Sequence, residues 1–108
     1  MPFKKEHKLE YPTQYILLGQ SYLLKGKYDK AIRAYQKSIR IEPDNPKAQI
    51  FLGKAWLKKA VDNNGIPDWK KERYLRFAGV HYDKAQRMSP NSVIGEWARK
   101  CLKEIRSS

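Results

Sequence analysis

One cysteine and two histidines are the whole supply of thiol and imidazole groups in this 108-residue chain. Cys101 has no second cysteine to bridge to and no partner for a metal site, so an internal disulfide is excluded and a reducing compartment is the expectation. His7 and His81 lie far apart, and neither a glycine-rich phosphate loop nor a paired-carboxylate motif occurs. These absences point away from an enzyme and imply no cofactor and no metal. No run of eighteen apolar residues is present to span a bilayer, and Met1 to Lys8 lack the apolar stretch of a secretory signal, which makes the cytoplasm the expected location. Acidic residues are also scarce: 11 stand against 23 Lys and Arg, a net charge of +12. A potential of that sign attracts acidic proteins, nucleic acid or anionic lipid, and it names a class of partner rather than a fold.

What the chain does have is apolar material in order. Hydrophobic residues make up 41%, with seven Tyr and three Trp, enough to build a core despite the charge. The apolar pattern repeats itself. Pro12, Leu18, Gly19 and Tyr22 return thirty-four residues later as Pro46, Leu52, Gly53 and Trp56. Ala31, Tyr35, Ser38, Ile41 and Pro43 return after forty-seven as Ala78, Tyr82, Ala85, Met88 and Pro90. Each unit is therefore a helix pair, and the second unit carries thirteen extra residues between its two helices. The insertion falls around Val61 to Trp69, where Asn63, Asn64, Gly65, Ile66, Pro67 and Asp68 supply stop-then-start chemistry: a glycine for the left-handed cap, an aspartate to cap the next helix. It is expected to lengthen both helices rather than add a domain.

Tyr15, Leu18, Gly19, Tyr22, Gly26, Tyr28, Ala31, Tyr35, Ser38 and Pro43 together resemble the signature of the tetratricopeptide repeat across residues 12–45. The second unit, residues 46–92, resembles it at Leu52, Gly53, Trp56, Ala78, Tyr82, Ala85 and Pro90, but has Gln49 where an aromatic is usual and departs in length. After Pro90, the apolar residues Ile94, Trp97, Ala98, Cys101, Leu102 and Ile105 recur three and four apart with charged residues between them, an amphipathic helix over 93–106. It lacks the Leu-Gly pair and reads as the cap that keeps an open solenoid end soluble. The expected fold is all-α: two helix pairs plus a capping helix, five helices, with the insertion between the third and fourth. Residues 1–11 are expected to form a basic, partly disordered arm, and residues 12–108 the repeat domain.

Local physics gives the same answer. Glycine inside a helix costs roughly 1 kcal/mol relative to alanine, so Gly19 and Gly53 imply close approach of a neighbouring helix, expected at Ala31 and Ala78. Tyr22, Tyr35, Trp56 and Tyr82 are expected to fill the space between pairs. Pro43 and Pro90 end their helices, with Asp44 or Asn45, and Asn91 or Ser92, capping the next.

The resemblance implies a concave groove lined by the first helix of each pair, which holds a peptide or a partner helix. Helical projection puts Ile16, Gln20, Leu23 and Leu24, then Lys47, Ile50, Lys54, Leu57 and Lys58, then Trp97 and Cys101, on that side. An apolar floor with a lysine rim suits an acidic or amphipathic protein segment. A plainer reading has Ile16, Leu23 and Leu57 covering the core or receiving the arm, with the lysines a solvated face. The family's carboxylate clamp uses Lys and Asn at positions held here by Ile16 and Gln20, so that mode is not supported. The alternative is nucleic-acid binding by a basic stripe on the outer helices, Lys30, Arg33, Lys37 and Arg40, continued by Lys70, Lys71, Arg73, Lys84 and Arg87, although no aromatic platforms interleave with it in sequence. Self-association through the uncapped first helix is compatible with either. His81 reads as a surface or boundary residue, and Cys101 as a small apolar core or groove residue.

Overall fold

A computed structural model describes residues 11–62 and 65–107. It contains five helices: α1 (Pro12–Leu24), α2 (Tyr28–Ile41), α3 (Pro46–Val61), α4 (Asp68–Met88) and α5 (Val93–Ser107). No strand occurs among the described residues. Apart from Tyr11, the expected N-terminal arm lies outside them.

The helix starts follow from side chains that satisfy orphan amides. Proline opens α1 and α3, where its missing N–H costs nothing. Asn45 Oδ1 accepts from the amides of Lys47 at 3.0 Å and Ala48 at 3.4 Å. Ser92 Oγ accepts from the Gly95 amide at 3.2 Å. Asp68 is a correction: Pro67 holds the N-cap position of α4 with no side-chain cap, and Asp68 is the first helical residue. Its carboxylate there faces the positive end of the helix dipole instead of bonding a backbone amide.

The insertion is absorbed at the tip of the second hairpin. α3 has 16 residues against 13 in α1, α4 has 21 against 14 in α2, and the connecting loop accounts for the remainder. The second pair therefore projects beyond the first at one end while both pairs begin and end in register at the other.

α3 is the central element and packs against all four other helices. α1, α3 and α5 form an inner row; α2 and α4 lie outside it and make no close backbone contact with each other. The molecule is 19 Å across its thinnest dimension, two helix diameters of ~10 Å. Two buried clusters hold it together. Ile16, Ala31, Ile32, Tyr35, Ala48, Leu52 and Ala55 join the first pair to α3, and Ile50, Ala78, Tyr82, Ala85, Ala98 and Cys101 join the second pair to α5. Trp56 packs against both.

The nearest neighbour of each mid-helix glycine is a tyrosine ring rather than an alanine. A Cβ added at Gly19 would run into the Tyr35 ring, and one at Gly53 would lie 2.7 Å from Tyr82 Cε1. The expected approach of Ala78 occurs at Gly53 through the backbone, its carbonyl oxygen 3.1 Å from that position. Each glycine is thus a slot for a fully buried tyrosine ring. The roughly 1 kcal/mol that a helical glycine costs is outweighed by the roughly 1.5–3 kcal/mol gained by burying a large apolar side chain.

Candidate partner-binding face

The inner row of helices exposes the candidate groove. On α1, residues 16, 20, 23 and 24 share one helical face; on α3, residues 47, 50, 54, 57 and 58 do so. The structure divides these residues into floor and surface. Ile16 is 8% exposed in the first core cluster, Ile50 is fully buried in the second, and Cys101 is buried beside it. Ile16 and Ile50 therefore leave the list of side chains a partner can touch, because tertiary packing places their faces between helices. Gln20, Leu23, Lys54, Leu57 and Trp97 are half-buried, while Lys47 and Lys58 are exposed and Leu24 is 90% exposed.

Lys54 and Trp97 come together. Lys54 Nζ lies 5.7 Å from the Trp97 ring centroid, joining α3 to α5, and Phe51 meets the same indole edge-on at 5.9 Å. Phe51 in turn stacks on Tyr35 at 5.7 Å, so the indole is braced through α3 to the outer helix α2. The Cys101 thiol, buried under this face, is pushed above its ordinary pKa by burial and is a poor nucleophile. Among the described residues no group of three His, Cys, Asp or Glu is placed to hold a metal ion.

On the outer side, Lys30, Arg33, Lys37 and Arg40 are all exposed on α2. Folding adds what the linear sequence hid. Tyr22 and Tyr15 of α1 lie beneath these cations, with Lys30 Nζ 5.7 Å from the Tyr22 ring and Lys37 Nζ 5.8 Å from the Tyr15 ring.

Three further interactions escaped sequence reading. His81 Nδ1 is 2.8 Å from the buried Gln49 Oε1, and burial, with Lys84 nearby, lowers its pKa to about 4. His81 is thus a neutral partner of an inner-helix glutamine. A signal existed: in repeat register Tyr15 and Ala34 of the first pair become Gln49 and His81 of the second, a large–small pair exchanged for two polar side chains of middle size. The other two tie the start of α2 to the end of α3. Lys59 Nζ bonds Asp29 Oδ1 at 2.6 Å, and Tyr28 donates its hydroxyl to Asp62 Oδ2 at 2.6 Å. Lys59 also lies 4.7 Å from the Tyr74 ring of α4 and 5.4 Å from Trp56. Burial alone would lower its pKa, but the hydrogen bond and charge of Asp29, with Tyr74, raise it on balance.

Helix pairs in an inner and an outer row, closed by a fifth helix, define a helical-hairpin solenoid, a class built to present surface rather than to enclose a catalytic pocket. Residues 19–59 match the family model described as TPR repeat, so this stretch of the chain carries the repeat. A 55-residue stretch, 51% of the chain, is 36% identical to BBSome complex member BBS4 of Bos taurus, of which it covers 11%. A 67-residue stretch, 62% of the chain, is 33% identical to Superkiller protein 3 of Saccharomyces cerevisiae, of which it covers 4%. The chain thus matches only about a tenth or less of the length of these curated relatives. The repeat they share is in general a mediator of protein–protein interaction.

Proposed function

We propose that this protein is an interaction module acting in the cytoplasm, whose inner face takes an acidic or amphipathic segment of a protein partner. The Lys54–Trp97 stack between α3 and α5 carries this reading. It offers a cation and an indole side by side, with Lys47 and Lys58 at the margins and Leu23, Leu24 and Leu57 as apolar contacts on the same row of helices. A carboxylate displacing Lys54 from the indole face would gain an ion pair and leave the indole free for an apolar side chain, the pairing of anchor and rim that gives interfaces their affinity. That one relative is a BBSome complex member is in keeping with a role inside an assembly. The test is a photo-cross-linking residue at exposed Leu24 in cell extract. Polypeptide adducts that disappear when Lys54→Glu and Lys58→Glu are combined support the reading; adducts that persist in the double variant, or none at all, remove the inner face as the site.

The nucleic-acid reading of Lys30, Arg33, Lys37 and Arg40 ranks second. Its cations are all exposed, and Tyr15 and Tyr22 now stand beside them, but Lys37 and Lys30 lie over those rings, where bases would have to stack. Labelled RNA titrated through physiological salt discriminates: micromolar binding there, lost in Arg33→Glu with Arg40→Glu, would reverse the ranking.

A further inference from the structure

Leu17 is 60% exposed on a face of α1 whose counterpart in α3 is covered, with Ala48, Leu52 and Ala55 buried and Phe51 half-buried. Repeat register sets Gln14, Leu17, Leu18 and Ser21 against Ala48, Phe51, Leu52 and Ala55. In the second pair the cover is α2: Ala31, Ile32 and Tyr35 share one buried cluster with Ala48, Leu52 and Ala55, and Tyr35 stacks on Phe51. Among the described residues, α1 packs only against α2 and α3, so its corresponding face has no such cover. The adjoining open cavity of about 240 Å³ is floored by Tyr15, Leu18 and Tyr22 and rimmed by Lys30, Arg33 and Lys37.

We infer that this end of the array docks an acidic amphipathic helix from a partner protein, seated over α1 as α2 is seated over α3. The molecule itself supplies the precedent for a helix, since the same face one repeat later is covered by one. The rim supplies the chemistry. In the second pair, Ile39 of the covering helix and Pro43 just beyond its end share a cavity with Lys84 and Arg87 of α4, whose counterparts in the first pair are Lys37 and Arg40. Acidic residues late in the docked helix therefore fall beside Lys37 and Arg40, and apolar ones at the places of Ile32 and Tyr35 fall on Leu17 and Leu18.

Competing occupants fit less well. A second copy would bring its own Lys30, Arg33 and Lys37 to the contact on a chain of net charge +12, and like charges juxtaposed at an interface cost affinity. Nucleic acid would meet tyrosine rings that lysines already cover. Gln14 and Ser21, in place of Ala48 and Ala55, make the face less apolar than its internal counterpart, as suits a contact that forms and dissociates. This surface is separate from the Lys54–Trp97 face, and either stands if the other falls.

The experiment is an amide chemical-shift titration of the full chain with a short amphipathic Leu/Glu helical peptide at physiological ionic strength, with a Leu/Lys peptide as control. The expected result is saturable binding of the Leu/Glu peptide alone, with shifts centred on Tyr15, Leu17, Leu18 and Lys37. Leu17→Asp and Arg33→Glu with Lys37→Glu should each weaken binding at Tyr15, Leu17, Leu18 and Lys37 at least about tenfold. Shifts confined to Lys54 and Trp97 would overturn the end-face assignment, as would equal binding of the Leu/Lys peptide. Three other results also overturn it: sedimentation of the free protein as a dimer that Leu17→Asp dissociates, contacts in the free protein between Leu17 and residues 1–10, and displacement of the peptide by RNA with no loss in Leu17→Asp.

Discussion

His81 shows how one side chain's setting becomes a property of the whole chain. Its pKa is about 4 in the folded state, because burial and Lys84 disfavour the charged ring, against about 6.5 unfolded. Between those values the unfolded chain binds more protons, so stability is complete above about pH 6.5 and falls as pH drops toward 4. Urea denaturation across that window should show the loss in the native chain and a flatter profile in His81→Gln; equal slopes would remove His81 as the cause. The buried tyrosines allow a second prediction. Gly19→Ala pushes a methyl into the Tyr35 ring and should cost about 1–3 kcal/mol, although in an open helix the same change would gain about 1 kcal/mol. The Tyr35 hydroxyl is buried with no partner among the described residues, and burial drives its pKa to about 12. Tyr35→Phe should therefore keep the ring in its slot and stabilise the fold by roughly 1 kcal/mol. Chemical denaturation of the two variants checks both signs.

Between helices, the element that decides the arrangement is α3, and its far end is held by two side-chain bonds to the start of α2. Asp29 is mostly exposed, so the Lys59–Asp29 pair is screened, and a double-mutant cycle with Lys59→Met and Asp29→Asn should give a coupling of about 0.5–1 kcal/mol that shrinks in high salt. A coupling near zero would leave packing of Lys59 on Tyr74 as its main contribution. The lengthened hairpin was legible because two repeat offsets, thirty-four and forty-seven, disagree by the size of the insertion. The clasp was not legible: Asp29 and Lys59 belong to different pairs, and only the packing of α2 on α3 brings them together. Charge also distinguishes the two ends. In repeat register, the α5 positions matching Tyr15, Leu18, Gly19 and Tyr22 are Glu96, Arg99, Lys100 and Lys103, all exposed. A face of that kind cannot receive the second helix of a pair, whereas the matching face of α1 is apolar and packs on α2.

At the scale of the molecule, +12 on a slab two helices thick is self-repulsive. The melting temperature should therefore rise between low salt and physiological salt, as the screening length falls from about 30 Å to about 8 Å, and a scanning fluorimetry series would show it. A melting temperature insensitive to salt would mean that the charges are spread widely enough to leave the compact state unstrained. For the acidic partner proposed above, the same field would speed encounter, so association rates should fall over the salt range in which stability rises.

The sequence by itself determined the elements: helix periodicity, proline and glycine punctuation and the double offset are local signals, and local signals survive in one dimension. It also determined that Lys30, Arg33, Lys37 and Arg40 share a stripe, since residues three and four apart share a helix face in any context. Tertiary structure alone decided which apolar residues are floor and which are surface. Ile50 and Leu57 project onto the same side of α3, yet one is sealed by α4 and α5 and the other is half open, because burial depends on where the neighbouring helices lie. It also decided that Gly19 receives a tyrosine ring rather than an alanine, that Gln49 meets His81, and that Lys54 covers Trp97. Each of these pairs depends on the rotation of one helix against another, which core packing fixes and which no spacing along a single chain can encode.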